Sequence, residues 1–233
     1  TAFYIAGLIS YLKYNREKKG LYLGLTAAFA TLALFSKSLA ISFPLAMFLI
    51  DYYQGRSWNR RLWLEKIPFF ALAIVFGFVT VDAASAYGHI SPLEQQYSLI
   101  DRFFILCHTY VFYLVQFVAP HHLSSVYAYP DISNGSLPLL YYFSAIVPLL
   151  ILALIWIHRK KQRELVAALL FFTVAVGPTL PLFWSRVMVA ADRYAYLSFI
   201  GLFLLFGILV ERAFRKKHVI IPYQRYGIAA ILL

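Results

Sequence analysis

The feature that most narrows the possible folds is an apolar stretch over residues 21–53 with a basic cluster on each side. As a single helix it would be about 50 Å long, against a bilayer hydrocarbon core of roughly 30 Å. Basic residues gathered in short loops mark the cytoplasmic side of a membrane protein, so two basic flanks require an even number of crossings. The stretch therefore reads as a hairpin, residues 21–35 going out and 39–52 coming back, with Ser36-Lys37-Ser38 at the apex. Each arm is about 22 Å by helical rise, short for a full span, so the apex dips toward the bilayer and Lys37 is set at its outer mouth. Pro44, one turn into the second arm, is expected to kink it and leave a carbonyl in need of a partner.

Composition agrees with a membrane protein. Of 233 residues 62% are hydrophobic and 13% charged, which excludes a soluble domain and predicts a polytopic, all-α bundle. Four clusters, residues 13–19, 56–66, 159–164 and 211–217, each sum to +3, a total of +12 that exceeds the net charge of +11. That distribution is the positive-inside pattern, and anionic lipid headgroups suffice to explain it. No motif supports nucleic-acid binding. The lone Cys107 says nothing about redox compartment. The chain opens without Met and stops within an apolar run. It is therefore expected to be an interior piece of a longer protein, with residues 1–233 forming one transmembrane domain.

Taken in order, residues 1–12 read as the end of a span. Residues 68–81 return outward from a Pro that suits a helix start, and 82–102 form an outer loop. Residues 139–157 must run inward to deliver the third basic cluster, so parity gives 103–119 no crossing or two. The aromatic-rich segment 103–119 is read as a re-entrant or interface-lying helix, unless one loop breaks the charge rule. Residues 120–138 are a polar, turn-rich outer connection. Residues 165–176 go out and end at Gly177-Pro178 with Pro181, 185–193 are outer, 194–210 return, and 219–233 begin another span. The total is about eight spans plus the doubtful segment.

This topology collects Lys37, His121, His122, Tyr129, Asp131, Arg186, Asp192, Arg193 and Tyr194 on the outer face. Cations at a membrane surface beside carboxylates and tyrosines suit a ligand with a phosphate at the interface and a polar group above it. Lys37, Arg186 and Arg193 are the candidates for the phosphate. His121, His122, Tyr129, Asp131, Asp192 and Tyr194 are candidates for the cavity or acceptor side. The competing reading is that Asp192 and Arg193 form an internal ion pair while Lys37 snorkels. HExxH, CxxC, GxSxG and Walker patterns are absent, so no metal and no cofactor is expected.

Three stretches carry a resemblance. They are Ser36-Lys37-Ser38 followed by Pro44 and Asp51-Tyr52-Tyr53, then Pro120 through Leu123-Ser124 to Tyr129-Pro130, then Ala191-Asp192-Arg193-Tyr194-Ala195-Tyr196-Leu197 with Gly201. In this order they resemble the transmembrane portion of bacterial tetratricopeptide-repeat membrane proteins. Those are similar to the transmembrane and tetratricopeptide-repeat O-mannosyltransferases of the GT-C glycosyltransferase class. The resemblance implies an enzyme of the bacterial inner membrane. It would move a sugar from a polyprenyl-phosphate carrier to an acceptor on the periplasmic or exterior face, with membrane lipids around it and protein partners on its repeats. It also implies a catalytic carboxylate upstream of Thr1 and repeats after Leu233. The alternatives are an O-antigen ligase or polymerase-like enzyme, a transporter and a membrane scaffold. A transporter would need charged or broken segments at mid-membrane, for which Asp51 and Pro44 are the candidates.

Overall fold

A computed structural model describes residues 1–86, 97–132, 136–181 and 188–216. Among them the chain is helical, with one isolated antiparallel bridge between Tyr127 and Ala190. The helices are α1 (Ala2–Glu17), α2 (Gly20–Ser36), α3 (Phe43–Tyr53), α4 (Arg60–Leu64), α5 (Ile67–Ala86), α6 (Leu99–Val118), α7 (Leu139–Ser144), α8 (Ile146–His158), α9 (Arg163–Val176) and α10 (Ala195–Lys216). The runs Arg60–Ala86, Leu99–Val118, Leu139–His158 and Asp192–Phe214 are long and apolar enough to cross a membrane; Gly20–Ser36 and Ser38–Tyr53 are apolar but shorter. α8 buries none of its own residues and α5 buries Phe69 and Ala73. Apolar faces this bare are stable in lipid and costly in water, which is consistent with an integral membrane protein.

The predicted break at residues 36–38 is present, with an apolar helix on each side of it. Lys37 is extended (φ −162°, ψ 128°), ending α2 and passing the chain through a 3-10 turn at Ser38–Ser42 into α3. Pro44 does not kink the second arm: it occupies the second position of α3, where its missing N–H has no helical partner to lose. Other boundaries move. α1 continues through Glu17, so Lys13 and Arg16 lie on a helix, and it is Lys18, left-handed at φ 57°, that turns the chain. The expected outer loop over 82–102 is shorter at both ends, because α5 runs to Ala86 and α6 starts at Leu99. Ser98 and Asp101 form a capping box there, the Asp101 N–H donating to Ser98 Oγ at 3.1 Å and the Ser98 N–H to Asp101 Oδ2 at 3.1 Å. The inward segment 139–157 is split at Ala145 into α7 and α8. The span expected at 219–233 lies outside the described residues.

The described residues of the four basic clusters come to one end of the bundle. Tyr52 Oη donates to the Arg159 carbonyl, Asn15 Nδ2 to Gln54 Oε1 at 2.9 Å, and Arg212 Nη1 to Gln162 Oε1 at 2.9 Å. The opposite end holds Lys37, the 119–132 connection, the turn Gly177–Thr179 and residues 188–195. α6 meets its neighbours along that second end. His108 Nδ1 is 3.0 Å from Ser144 Oγ on α7, Tyr110 Oη 2.9 Å from Thr173 Oγ1 near the end of α9, and Phe117 packs on Phe199 and Phe203 of α10. Both ends of α6 also touch the 119–132 connection, Tyr97 Oη through the Pro130 carbonyl (2.7 Å) and Gln116 Nε2 through the His121 carbonyl (3.0 Å).

At the basic end the sequence conceals a buried network. Asp51 and Lys66 pair with both side chains fully buried, although Lys66 reads in the sequence as part of a headgroup-facing loop. Tyr11 Oη lies 2.9 and 2.8 Å from the two Asp51 oxygens and accepts from Lys66 Nζ at 2.6 Å; Asn15 Nδ2 donates to Asp51 Oδ1 at 2.9 Å. Arg56 bridges onward to Glu65, Nη2 to Oε1, at 2.8 Å. Two carboxylates and two cations cancel, and each has polar partners, which is the condition under which burying them is tolerable. The network ties α1, α3 and the start of α5 together. Tyr4, Phe43, Met47, Phe69 and Ala175, all buried, belong to the main apolar core of the bundle.

Candidate functional site

The site lies at the end opposite the basic clusters and is built from three separate segments. Lys37 reaches out from the break after α2, and its Nζ donates to the Arg193 carbonyl at 3.1 Å. The 3-10 turn Asp192–Tyr194 precedes α10 and carries Arg193 and Tyr194 in succession. Lys37 Nζ lies 5.5 Å from the centroid of the Tyr194 ring, and the Arg193 guanidinium carbon 5.4 Å from it. Two exposed cations thus lie within about 5.5 Å of the centre of one phenol ring, which gathers positive charge around Tyr194. An anion with several oxygens can accept from both.

Beside this point opens an apolar cavity of about 350 Å³ between α5, the Ser38–Ser42 turn and residues 178–181. Its walls include Ser38, Leu39, Phe78, Val81, Tyr129 and Met188. Lys37 and Arg193 border a separate, smaller cleft with Tyr4, Leu39 and Tyr194; its connection to the cavity wall is through Ser38, the next residue after Lys37, and Met188, whose Sδ lies 3.8 Å from Arg193 Nη2.

The turn that carries Arg193 is held from behind. The Ser124 N–H donates to Asp192 Oδ2 at 2.7 Å, and Tyr127 Oη lies 3.1 Å from each Asp192 oxygen. The Tyr127 N–H donates to the Ala190 carbonyl at 3.0 Å, and the Val189 N–H returns a bond to the Tyr127 carbonyl at 2.9 Å. Tyr113 Oη donates to the Ala191 carbonyl at 3.2 Å. Desolvation, and then the neighbouring Asp192 carboxylate, push the Tyr127 phenol above its ordinary value, against the Ser124 N–H, which lowers it. The phenol therefore keeps its proton at neutral pH and can donate to Asp192. Among the described residues Asp192 has no ion pair with Arg193; its carboxylate is a clamp on the 119–132 connection. That corrects the internal ion pair considered from the sequence.

The remaining candidates separate into two groups. His121 and His122 flank the clamp: His121 Nδ1 is 2.8 Å from the Ala119 carbonyl, and His122, left-handed at φ 47°, offers its carbonyl to Tyr127 Oη at 3.0 Å. Tyr129 and Asp131 lie toward the start of α6. Tyr129 packs its ring 5.7 Å from Tyr97, whose phenol is pushed up by burial first and by the charge of Asp131 second. Arg186 falls outside the described residues. Among the described residues no three His, Cys, Asp or Glu side chains are arranged to hold a metal ion. The residues that sequence reasoning did not assign are Tyr113, Gln116 and Tyr127, whose polar ends fix the backbone around the site. Their tyrosines are hard to single out among 18.

No protein-family model matches this chain, and no curated protein or solved structure matches it either.

Proposed function

We propose that this chain is the membrane domain of a glycosyltransferase of the GT-C type, which takes a sugar from a polyprenyl-phosphate carrier at the bacterial inner membrane. The acceptor is on the periplasmic or exterior side. The observation that carries the reading is the meeting of Lys37 and Arg193 around Tyr194, beside an apolar cavity. The resemblance of the three sequence stretches supports it too, since the same stretches supply Lys37, the clamp residues Ser124 and Tyr127, and Asp192 to Tyr194. The finer topology belongs to this proposal: about eight spans, with α6 lying along the outer interface rather than crossing. Its contacts with the same-end termini of α7, α9 and α10 support that placement.

In such a transfer the bond from the anomeric carbon to the phosphate oxygen breaks as the bond to the acceptor oxygen forms. The acceptor proton goes to a base, and the carrier phosphate departs with the bonding electrons. Lys37 and Arg193 stabilise that departing charge, which is the step where preorganised cations contribute most. Asp192 is not the base in this account, because its oxygens are engaged by Ser124 and Tyr127. A transporter reading would draw on the buried Asp51–Lys66 pair. Tyr11 and Asn15 complete the shell of Asp51, however, so it cross-links helices and has no room to carry a cargo ion.

The test is sugar transfer from a polyprenyl-phosphate donor by the intact protein in membranes. Lys37→Ala and Arg193→Ala should each lower the rate by about tenfold or more at unchanged protein level, as expected for loss of a transition-state charge contact. Rates for both variants within about a factor of two of wild type would overturn the assignment, since one tenfold step is the smallest effect such a contact supplies.

A further inference from the structure

We propose that α4 and the residues leading into it form an anchor for anionic phospholipid headgroups at the basic end of the bundle. This rests on the membrane reading and is independent of the sugar donor. The helical run Arg60–Ala86 contains 27 residues. Within it α4 and α5 are separated by a turn at residues 65–66, and α5 alone, 20 residues, is about 30 Å long, the thickness of the hydrocarbon core. α5 by itself fills the core, and its far end, through Val81 and Ala84, lines the cavity near Lys37. α4 is therefore left in the headgroup layer.

Its side chains fit that position. Leu62 is fully buried and points into the protein, while Trp58, Trp63 and Leu64 are 57%, 54% and 52% exposed. Asn59 fixes the turn by accepting the Leu62 N–H at 2.9 Å. The exposed rings are not loose: Trp58 stacks on Phe48 at 5.6 Å and 10°, Trp63 sits 4.8 Å from Phe48, and the two indoles are 6.1 Å apart. Indoles held this way have an apolar body and an N–H donor, the combination that favours the interface between headgroups and acyl chains.

The charge beside the slab selects the headgroup. Arg60 and Arg61 lead the turn and both are exposed. Arg61 reaches Glu65 at 3.4 Å with 77% of its side chain open to the surroundings. A contact that open is weak and leaves guanidinium N–H groups able to donate to a phosphate. A second tryptophan–arginine pair stands at the same end, the Arg159 guanidinium lying 3.3 Å from the Trp156 ring centroid. Exposed aromatic rings among arginines are complementary to an anionic lipid surface.

The experiment uses the protein with Trp156→Phe and Trp184→Phe, so that Trp58 and Trp63 report alone, in bilayers of phosphatidylcholine with and without phosphatidylglycerol. Lipids brominated near the headgroup should quench the emission strongly, and aqueous acrylamide weakly. Native mass spectrometry should find phosphatidylglycerol retained over phosphatidylcholine, and Arg60→Gln with Arg61→Gln should reduce that preference by about fivefold per arginine. Equal retention of the two lipids by the unsubstituted protein overturns the proposal, as does a preference unchanged in the arginine variant. Quenching by acrylamide and not by lipid also overturns it, and would make the slab an aqueous surface for a protein partner.

Discussion

Replacing Asp51 with Asn is expected to be among the most damaging single changes in this protein. The carboxylate is fully buried and neutralises Lys66, itself fully buried. Asn keeps the shape but removes the charge, so Lys66 is left inside with no counter-charge in contact, and Arg56 and Glu65 must rearrange around it. Breaking one side of a buried pair costs about 3–5 kcal/mol. The double variant Asp51→Asn with Lys66→Met should recover part of that loss, because it removes the stranded charge. A cycle of the four proteins in a single detergent, followed by thermal unfolding, measures the coupling. Losses for the two single variants that simply add in the double would show that the pair is not a unit.

Gly201→Ala carries the second large effect, and its sign is the informative part. Within an ordinary helix the change gains up to about 1 kcal/mol, because Gly is a poor helix former. At Gly201 a Cβ would lie 2.6 Å from the Ala168 carbonyl oxygen and 2.7 Å from the Phe172 nitrogen, both backbone atoms of α9. Neither can move aside as a side chain would, so α9 and α10 must separate. Overpacking of this kind costs about 1–3 kcal/mol, enough to outweigh the helix propensity. Gly24→Ala is the control, since nothing lies within 4 Å of a Cβ there. Unfolding should occur earlier in the first variant and no earlier in the second. A Gly201→Ala protein as stable as wild type would mean that the two helices are not in such close contact.

These two positions mark where the sequence is readable and where it is not. Gly201 stands within the stretch that carries the family resemblance, yet the reason for a glycine there is a contact with α9, which no local pattern announces. The break at Ser36-Lys37-Ser38 and the stop at Gly177-Pro178 are legible because charge and backbone chemistry act locally. Asp51 and Lys66 are not. They are 15 positions apart, each lies beside residues that do face outward, and their pairing exists once α1, α3 and α5 are assembled.

Counting charges by loop sums Lys66 with Arg60 and Arg61, although one is sealed inside and the others are exposed. The site shows the same division. Lys37 and Arg193, grouped in the sequence with Arg186, both approach Tyr194, which the sequence places on the cavity side. Asp192 turns away from Arg193, because a backbone N–H and a phenol 68 and 65 positions distant hold its carboxylate. Pro44 departs from the expected kink for a local reason: a short 3-10 turn shifts the start of α3, and the proline falls in its first turn instead of its interior.

The central claim is that the cation pair beside the cavity receives a lipid-linked phosphate, and direct binding tests it with the fewest steps. Purified protein in nanodiscs would be titrated with a polyprenyl-phosphate sugar, wild type beside Lys37→Ala and Arg193→Ala, with folding checked by thermal unfolding. The account predicts saturable binding by wild type and a loss of about tenfold or more in affinity for each folded variant, in line with a charge-assisted contact to phosphate. Wild type that fails to bind any such carrier, or folded variants that bind as well as wild type, would contradict it.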